Sequence, residues 1–255
     1  MNTAAPPHPQ WLIPDWPAPA RVRALVTTRA GGVSMGPYAS MNLGTRTADD
    51  PAAVAENRAR LQRCLPQPPQ WLAQVHGTTA VDADKLTGSP TVVPQADASV
   101  ARCPGTVCAI LIADCLPILL TDRAGGCVGA AHAGWRGLAG GVIANTVARM
   151  PAAPADLMAW IGPGIGPTAF EVGDDVRQAF GGHAPEHSRA FTPLHPGKWL
   201  CDLPLLARDA LRRAGVAQIY GGDLCTWSDA QRFYSYRRDK VTGRMAALIW
   251  RTSAE

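Results

Sequence analysis

The stretch Ala113–Leu120, "ADCLPILL", constrains this chain more than any other. It follows "VCAILI" and precedes "TD", so an aspartate, a cysteine and a proline interrupt one long apolar run. Short apolar runs bounded by turn residues read as buried strands. A buried strand has little use for Asp114, and a central strand has none for Pro117, which lacks an N–H. The pattern predicts two strands with Cys115 between them. A second irregularity follows in "GAAHAGWRG", where His132 closes another short apolar run.

A chain of 255 residues, 47% hydrophobic and 17% charged, can bury one sizeable core. One domain is predicted over residues 21–255, preceded by an irregular arm, rich in Pro and Trp, over residues 1–20. The net charge of +4 and pI near 8.8 suit anionic small ligands. The densest basic patch, "YRRDK", is too short for a nucleic-acid arm, so no nucleic acid is expected. The opening "MNTAAPPHPQ" lacks a charged n-region and an apolar h-region, and no apolar run reaches the ~20 residues of a membrane helix. With no export signal, the seven scattered cysteines are expected to be reduced thiols in a cytoplasm.

"RVRALVTTR" alternates as a strand, and "AGGVSMGPY" is a glycine-rich loop. "DDPAAVAENRARLQRCL" is a helix, with Asp50 as cap and Pro51 at its first position. Its apolar stripe is Val54, Leu61 and Leu65, and Arg58 falls on the same stripe. "WLAQVHG" reads as a strand ending at His76. Strands flank Cys115, another runs from Cys127 to His132, and "MAWIGPGIGP" is a strand entering a loop. "LAGGVIANTVARM" is a helix loosened by glycines. "DLPLLARDALRRAG" is a second helix, with Asp202 as cap, Pro204 near its start and Gly215 at its end. "RFYSYRRDKVTGRMAALIW" reads as a β-hairpin around "VTGR". The irregular alternation predicts an α/β (α+β) domain of layered mixed β-sheets flanked by helices.

His76, Cys115 and His132 all stand at expected strand ends. Imidazole and thiolate are ligands zinc prefers, and three of them leave a fourth position open for catalysis. Their spacing contains no Cys-x-x-Cys or His-x-x-x-His pair, so a buried structural cysteine with two hydrogen-bonded histidines fits the same residues. Asp114 is either a base or histidine partner in that site, or a turn residue at a strand end. Arg58 either offers its guanidinium to a phosphate or carboxylate, or snorkels to water. "GPGIGP" is a tight turn rather than a phosphate loop, because Pro163 and Pro167 have no N–H for an anion. His183 and His187 are set four apart, but Pro185 between them argues for an exposed loop. "FYSYRR" could stack a base and hold an anion, or form an amphipathic hairpin with its arginines wet.

"TTRAGGVSMGPYASMNLG", "DDPAAVAENRARL", "WLAQVHG", "ADCLPILL", "AAHAGWRGLAGGV", "WIGPGIGPTAFEVG", "IYGGDLCTWSD" and "FYSYRRDKVTGRMAALIW" together resemble the YfiH/YlmD family, bacterial relatives of the laccase-domain-containing proteins. The resemblance runs from about Thr27 to Trp250. It implies a single YfiH-like catalytic domain and a zinc site of His76, Cys115 and His132. These three, with Asp114, are the implied catalytic set, and Arg58, Asn42, Arg136, Arg237 and Arg238 the implied substrate-binding set. One departure is visible in "NLGTRTADDP". Arg46 stands where the family usually has His, and Thr47 and Ala48 where it has Val and Gly.

The resemblance implies three activities. One is a zinc purine nucleoside phosphorylase acting on adenosine, inosine, guanosine or methylthioadenosine with phosphate, with adenosine deamination as a second reaction. Zinc-activated water suits deamination; phosphorolysis needs an oxyanion clamp, for which Arg58, Arg237 and Arg238 are available. The second is an amidase removing L-serine from misbuilt peptidoglycan precursors, through zinc or through Cys115 as nucleophile with His132 as base. The third, a copper polyphenol oxidase, fits less well, since six histidines without a His-x-His pair are few for coupled copper sites. Copper can still load such a site in vitro by raw affinity. The phosphorylase is the expectation, with a purine nucleoside and phosphate as partners and a monomer or small homo-oligomer as the assembly.

Overall fold

The computed structural model describes residues 5–86, 93–181 and 185–253. Its strands explain why "VCAILI", "LPILL" and "MAALIW" read as unbroken apolar runs: both faces of each are covered. Among the described residues three sheets form. One runs β1 (Val22–Val26), β13 (Met245–Arg251), β5 (Val107–Ile112), β2 (Pro69–Gln70). The largest runs β12 (Gln218–Gly221), β8 (Leu157–Ile161), β6 (Leu116–Asp122), β7 (Val128–Ala133), β4 (Ala98–Ala101), β3 (Ala80–Asp82). A small antiparallel sheet runs β10 (Phe191–His195), β11 (Lys198–Cys201), β9 (Glu171–Gly173). The two larger sheets are mixed: β2–β5, β3–β4 and β8–β12 pair parallel and their other neighbours antiparallel.

The helices are α1 (Pro51–Gln62), α2 (Trp135–Gly140), α3 (Val142–Arg149), α4 (Asp174–Ala179), α5 (Pro185–Ser188), α6 (Leu203–Arg213) and α7 (Tyr236–Asp239). Alternating side chains of the strands build three apolar layers. Val107 and Ala109 of β5, with Ala246 and Leu248 of β13, pack against Leu61 of α1. Their neighbours Cys108, Ile110, Ala247 and Ile249 meet Leu119, Val128 and Ala130 of the large sheet. The opposite face of that sheet, with Leu116, Ile118 and Leu120, meets Leu138, Val142, Val147, Leu206 and Leu211 of α2, α3 and α6. The order is helix, sheet, sheet, helices, the layered mixed α/β domain predicted.

The caps of α1 and α6 form as predicted: Asp50 accepts from Ala52 N at 2.9 Å and Asp202 from Leu205 N at 2.8 Å. Asn57, buried on the α1 stripe between Val54 and Leu61, donates to Ser34 Oγ and to the carbonyls of Ser40 and Asn42. It fastens the glycine-rich loop to the segment Ser40–Asn42, which leads into the cavity-lining residues Gly44 to Thr47. In the described part of the arm, Trp11 is buried and Leu12 pairs with Val26.

Five expectations are corrected. Pro117 does lie in β6, a central strand; it stands beside the strand end, and its carbonyl accepts from Gly162 N. "WLAQVHG" is not a strand beyond Gln70: Gln74 bonds Leu111 N and O through its side chain at 2.8 Å each, replacing a backbone ladder. The glycine-loosened helix is two helices, broken at Gly141, whose φ of 99° suits glycine. The C-terminal hairpin does not form. Ser235 caps α7 through Arg238 N, and β13 pairs instead with β1 and β5. Pro185 starts α5 rather than preventing it, because a first helical position needs no N–H. His187 lies in α5 and meets Arg213 Nη1 at 2.7 Å, and His183 lies outside the described residues.

Candidate metal centre and arginine-lined cavity

The junction that "ADCLPILL" predicted is where the chain leaves one large sheet for the other. β5 ends at Ile112 and β6 begins at Leu116, so Asp114 and Cys115 turn between layers. Asp114 adopts φ 90°, a conformation short polar residues tolerate best. Its Oδ1 accepts from Thr226 Oγ1 at 2.7 Å and its Oδ2 from Arg237 N at 2.6 Å. Its carbonyl accepts from Ile165 N in the "GPGIGP" loop. Asp114 holds the turn that aims Cys115.

His132 sits one residue from the end of β7, opposite Pro117. His76 comes from the loop after β2, with φ 60°. The ligand atoms of His76, Cys115 and His132 lie within 4.8 Å of one another. The two imidazoles meet edge to face, with ring centroids 4.9 Å apart.

Sequence reasoning missed the residue that organises them. Asp97, fully buried, accepts from His132 Nδ1 at 2.8 Å, His76 N at 2.9 Å, Gly77 N at 2.7 Å and Val75 N at 3.2 Å. One carboxylate thereby orients one ligand's ring and the other ligand's backbone, leaving Nε2 of His132 for the cluster. Burial pushes this carboxyl up, but the bonds from His132 and Gly77 and the His132 charge bring it below its ordinary value. The available signal was an aspartate just before the apolar strand β4.

Burial likewise pushes the Cys115 thiol up. The charge of His132, and hydrogen bonds with both histidines, outweigh it and bring the thiol down to about 6. Burial lowers His132, while the Cys115 charge and the Asp97 hydrogen bond raise it to about 9. The metal-free protein thus holds a thiolate–imidazolium pair between these values. Alkylation of Cys115 in that form is expected to rise with pH and reach half its limiting rate near about 6. Cys108, Cys127 and Cys201, which burial pushes to about 12, should stay unreacted. A midpoint near the ordinary 9 would contradict the coupling.

The donor set fits zinc, and the backbone is shaped around it. A Cβ at Gly134 would lie 2.8 Å from Cys115 Sγ and 3.0 Å from His76 Cδ2. Gly134→Ala is therefore expected to lower bound zinc without unfolding the protein, checked by metal analysis beside a thermal melt.

The cluster opens into a cavity of about 680 Å³. Arg46, Arg58, Arg136, Arg237 and Arg244 line it, together with Trp71, Trp135, Phe170 and Tyr236. Arginine and aromatic are paired: Arg58 lies 4.3 Å over Trp71, Arg136 4.3 Å over Trp135, and Arg237 5.0 Å over Phe170. Arg58 is half-buried and also donates to Leu43 O at 3.0 Å; burial brings its pKa down to about 10. Arg46, the departure from the family pattern, is exposed on the cavity wall.

Two expected substrate-binding residues lie off that wall. Arg238 donates to the carbonyls of Thr226, Trp227 and Phe233 and pairs with Asp239. Asn42 is fully buried: its amide donates to Thr47 and Asp49, and its oxygen accepts from Gly44 N and Arg244 N. Both hold the segments around the cavity rather than its wall. Arg244, which sequence reasoning did not single out, does line the cavity.

The fold and site define a layered α/β domain in which a His–Cys–His cluster, the one such group among the described residues, opens onto an arginine-lined cavity. The family model described as multi-copper polyphenol oxidoreductase laccase matches residues 23–252, and the chain belongs to that family, the YfiH/YlmD group. It is 54% identical over 241 residues to a purine nucleoside phosphorylase of Pseudomonas aeruginosa, spanning 94% of this chain and 98% of the relative. It is 52% identical over 241 residues to the purine nucleoside phosphorylase YfiH of Escherichia coli K12, with the same coverage. A crystal structure of a Neisseria meningitidis protein superposes with a TM-score of 0.92 at 51% identity, over 96% of this chain and 100% of that one. The relatives' names support an enzyme of the phosphorylase kind. No helix among the described residues is long and apolar enough to cross a membrane.

Proposed function

We propose that this protein is a cytoplasmic, zinc-dependent purine nucleoside phosphorylase working in the cavity above His76, Cys115 and His132. The observation that carries this reading is the joining of a three-ligand cluster to five cavity arginines. Phosphate is the small anion a guanidinium fork recognises best, and the aromatic faces suit a purine. Phosphorolysis forms a bond from a phosphate oxygen to C1′ and breaks the glycosidic C–N bond. The electron pair leaves with the base, which takes up a proton from the phosphate.

His76, Cys115 and His132 would hold the zinc, which supplies a Lewis acid to polarise the substrate. Asp97 fixes the ligand geometry. Arg237 presents its guanidinium from the α7 turn, and Arg58 and Arg136 offer theirs from opposite elements. We assign Asp114 to holding the turn rather than to proton transfer, because both its carboxylate oxygens already accept hydrogen bonds. The family's oxidase description finds less support here: coupled copper chemistry needs several ligand clusters, and the described residues supply one.

One observation favours a second reading. Cys115, His132 and Asp97 line up as nucleophile, base and orienting carboxylate, the order of a cysteine amidase. Incubating zinc-loaded, copper-free protein with adenosine, with and without phosphate, separates the cases. Adenine appearing only with phosphate is the expected result. Inosine without phosphate would mark a deaminase. Unchanged adenosine in both would move an L-serine amide of a cell-wall precursor to the front.

A further inference from the structure

Arg244 stands on the loop just before β13 and lines the cavity. Its N donates to Asn42 Oδ1 at 2.8 Å, and its Nη1 to the carbonyls of Thr242 and Gly243 at 3.0 and 2.9 Å. Its aliphatic shank lies against Gly44, where a Cβ would come within 2.8 Å of Arg244 Cγ. Its guanidinium lies 5.9 Å from the Tyr236 ring centroid. These contacts fix the head and leave Nε and Nη2 for a ligand.

No carboxylate among the described residues pairs with this charge. Arg244 is half-buried, and an arginine drawn partly out of water is usually paired, because a desolvated, unbalanced charge is costly. Burial lowers the Arg244 pKa, and the negative charges of Cys115 and Asp114 partly offset that. Asp114 is already engaged by Thr226 and Arg237 N. A cation on the His–Cys–His cluster would balance the Cys115 thiolate, leaving Arg244 with only the Asp114 charge, which makes no ion pair with it. Arg58 differs: its charge answers to burial alone, and it is stacked on Trp71. Arg46 and Arg136 are exposed at the rim.

We propose that Arg244 is the phosphate-binding residue next to the metal cluster, with Asn42 and Gly44 as its positioning residues. This rests on the phosphorylase reading and names the group that holds its anionic substrate. Asn42 therefore serves the substrate through Arg244, from a position where it cannot touch it.

The test titrates inorganic phosphate into zinc-loaded wild-type, Arg244→Lys and Gly44→Ala proteins by calorimetry, with metal content and nucleoside KM measured alongside. Losing a bidentate fork should weaken phosphate by about tenfold or more in Arg244→Lys. Gly44→Ala, which displaces the shank, should weaken it in the same direction. Zinc content and nucleoside KM should stay at the wild-type level. Wild-type affinity for phosphate in Arg244→Lys would overturn the assignment while leaving the phosphorylase reading intact. Wild-type protein that binds nucleoside but no phosphate would overturn the phosphorylase reading, and this assignment with it.

Discussion

Replacing Cys115 by alanine is expected to strip zinc from the protein and to lower kcat/KM by more than about a hundredfold, since even residues behind the ligands cost about ten- to a hundredfold in such sites. Cys115 is the only anionic ligand of the cluster, and the two imidazoles alone make a weaker site with two open positions. The fold should survive. Cys115 lies in the turn before β6, whose geometry Asp114 secures through Thr226, Arg237 and Ile165. Metal analysis, a thermal melt and turnover on one preparation check all three. Full activity without bound zinc would remove the metal from the account. Full activity with zinc retained would remove Cys115 from the site.

Asp97→Asn is expected to act on the centre without touching it. The carboxylate accepts from His132 Nδ1 and from three backbone N–H groups. An asparagine amide keeps one acceptor, and its NH₂ must then face donors it cannot satisfy. A buried donor left unpaired costs about 1–3 kcal/mol. The His132 ring also loses the partner that fixes its tautomer. Zinc affinity should fall by about ten- to a hundredfold, and thermal stability should fall with it. Competition with a coloured chelator measures the first and a melt the second. Wild-type zinc affinity in Asp97→Asn would show that the hub does not orient the ligands.

What the sequence made legible was local or strongly patterned. Asp50 with Pro51, and Asp202 with Pro204 and Gly215, announced α1 and α6, because caps act within one turn. The covered strands announced themselves by unbroken apolar runs. Cys115 stood out because a turn between two sheets needs a residue like Asp114 where packing alone would forbid it. The rest depended on distant partners. "WLAQVHG" has strand composition, but Gln74 supplies its pairing with Leu111 through a side chain. "MAALIW" reads locally as half of a hairpin, because its true neighbours, β1 and β5, are far away in the chain. Asp97 and Arg244 carry no spacing signal at all; only the fold brings them to His132 and to the cavity. Asn42 and Arg238 illustrate the reverse, polar residues inside informative motifs whose hydrogen bonds hold neighbouring loops together.

The most direct test of the central claim follows ribose 1-phosphate formation from inosine through three states of one preparation: zinc-loaded, chelated and reloaded with zinc, each with and without phosphate. The account predicts product only when zinc and phosphate are both present, loss on chelation, and recovery on reloading. Undiminished turnover in the chelated protein, or free ribose released without phosphate, would contradict it.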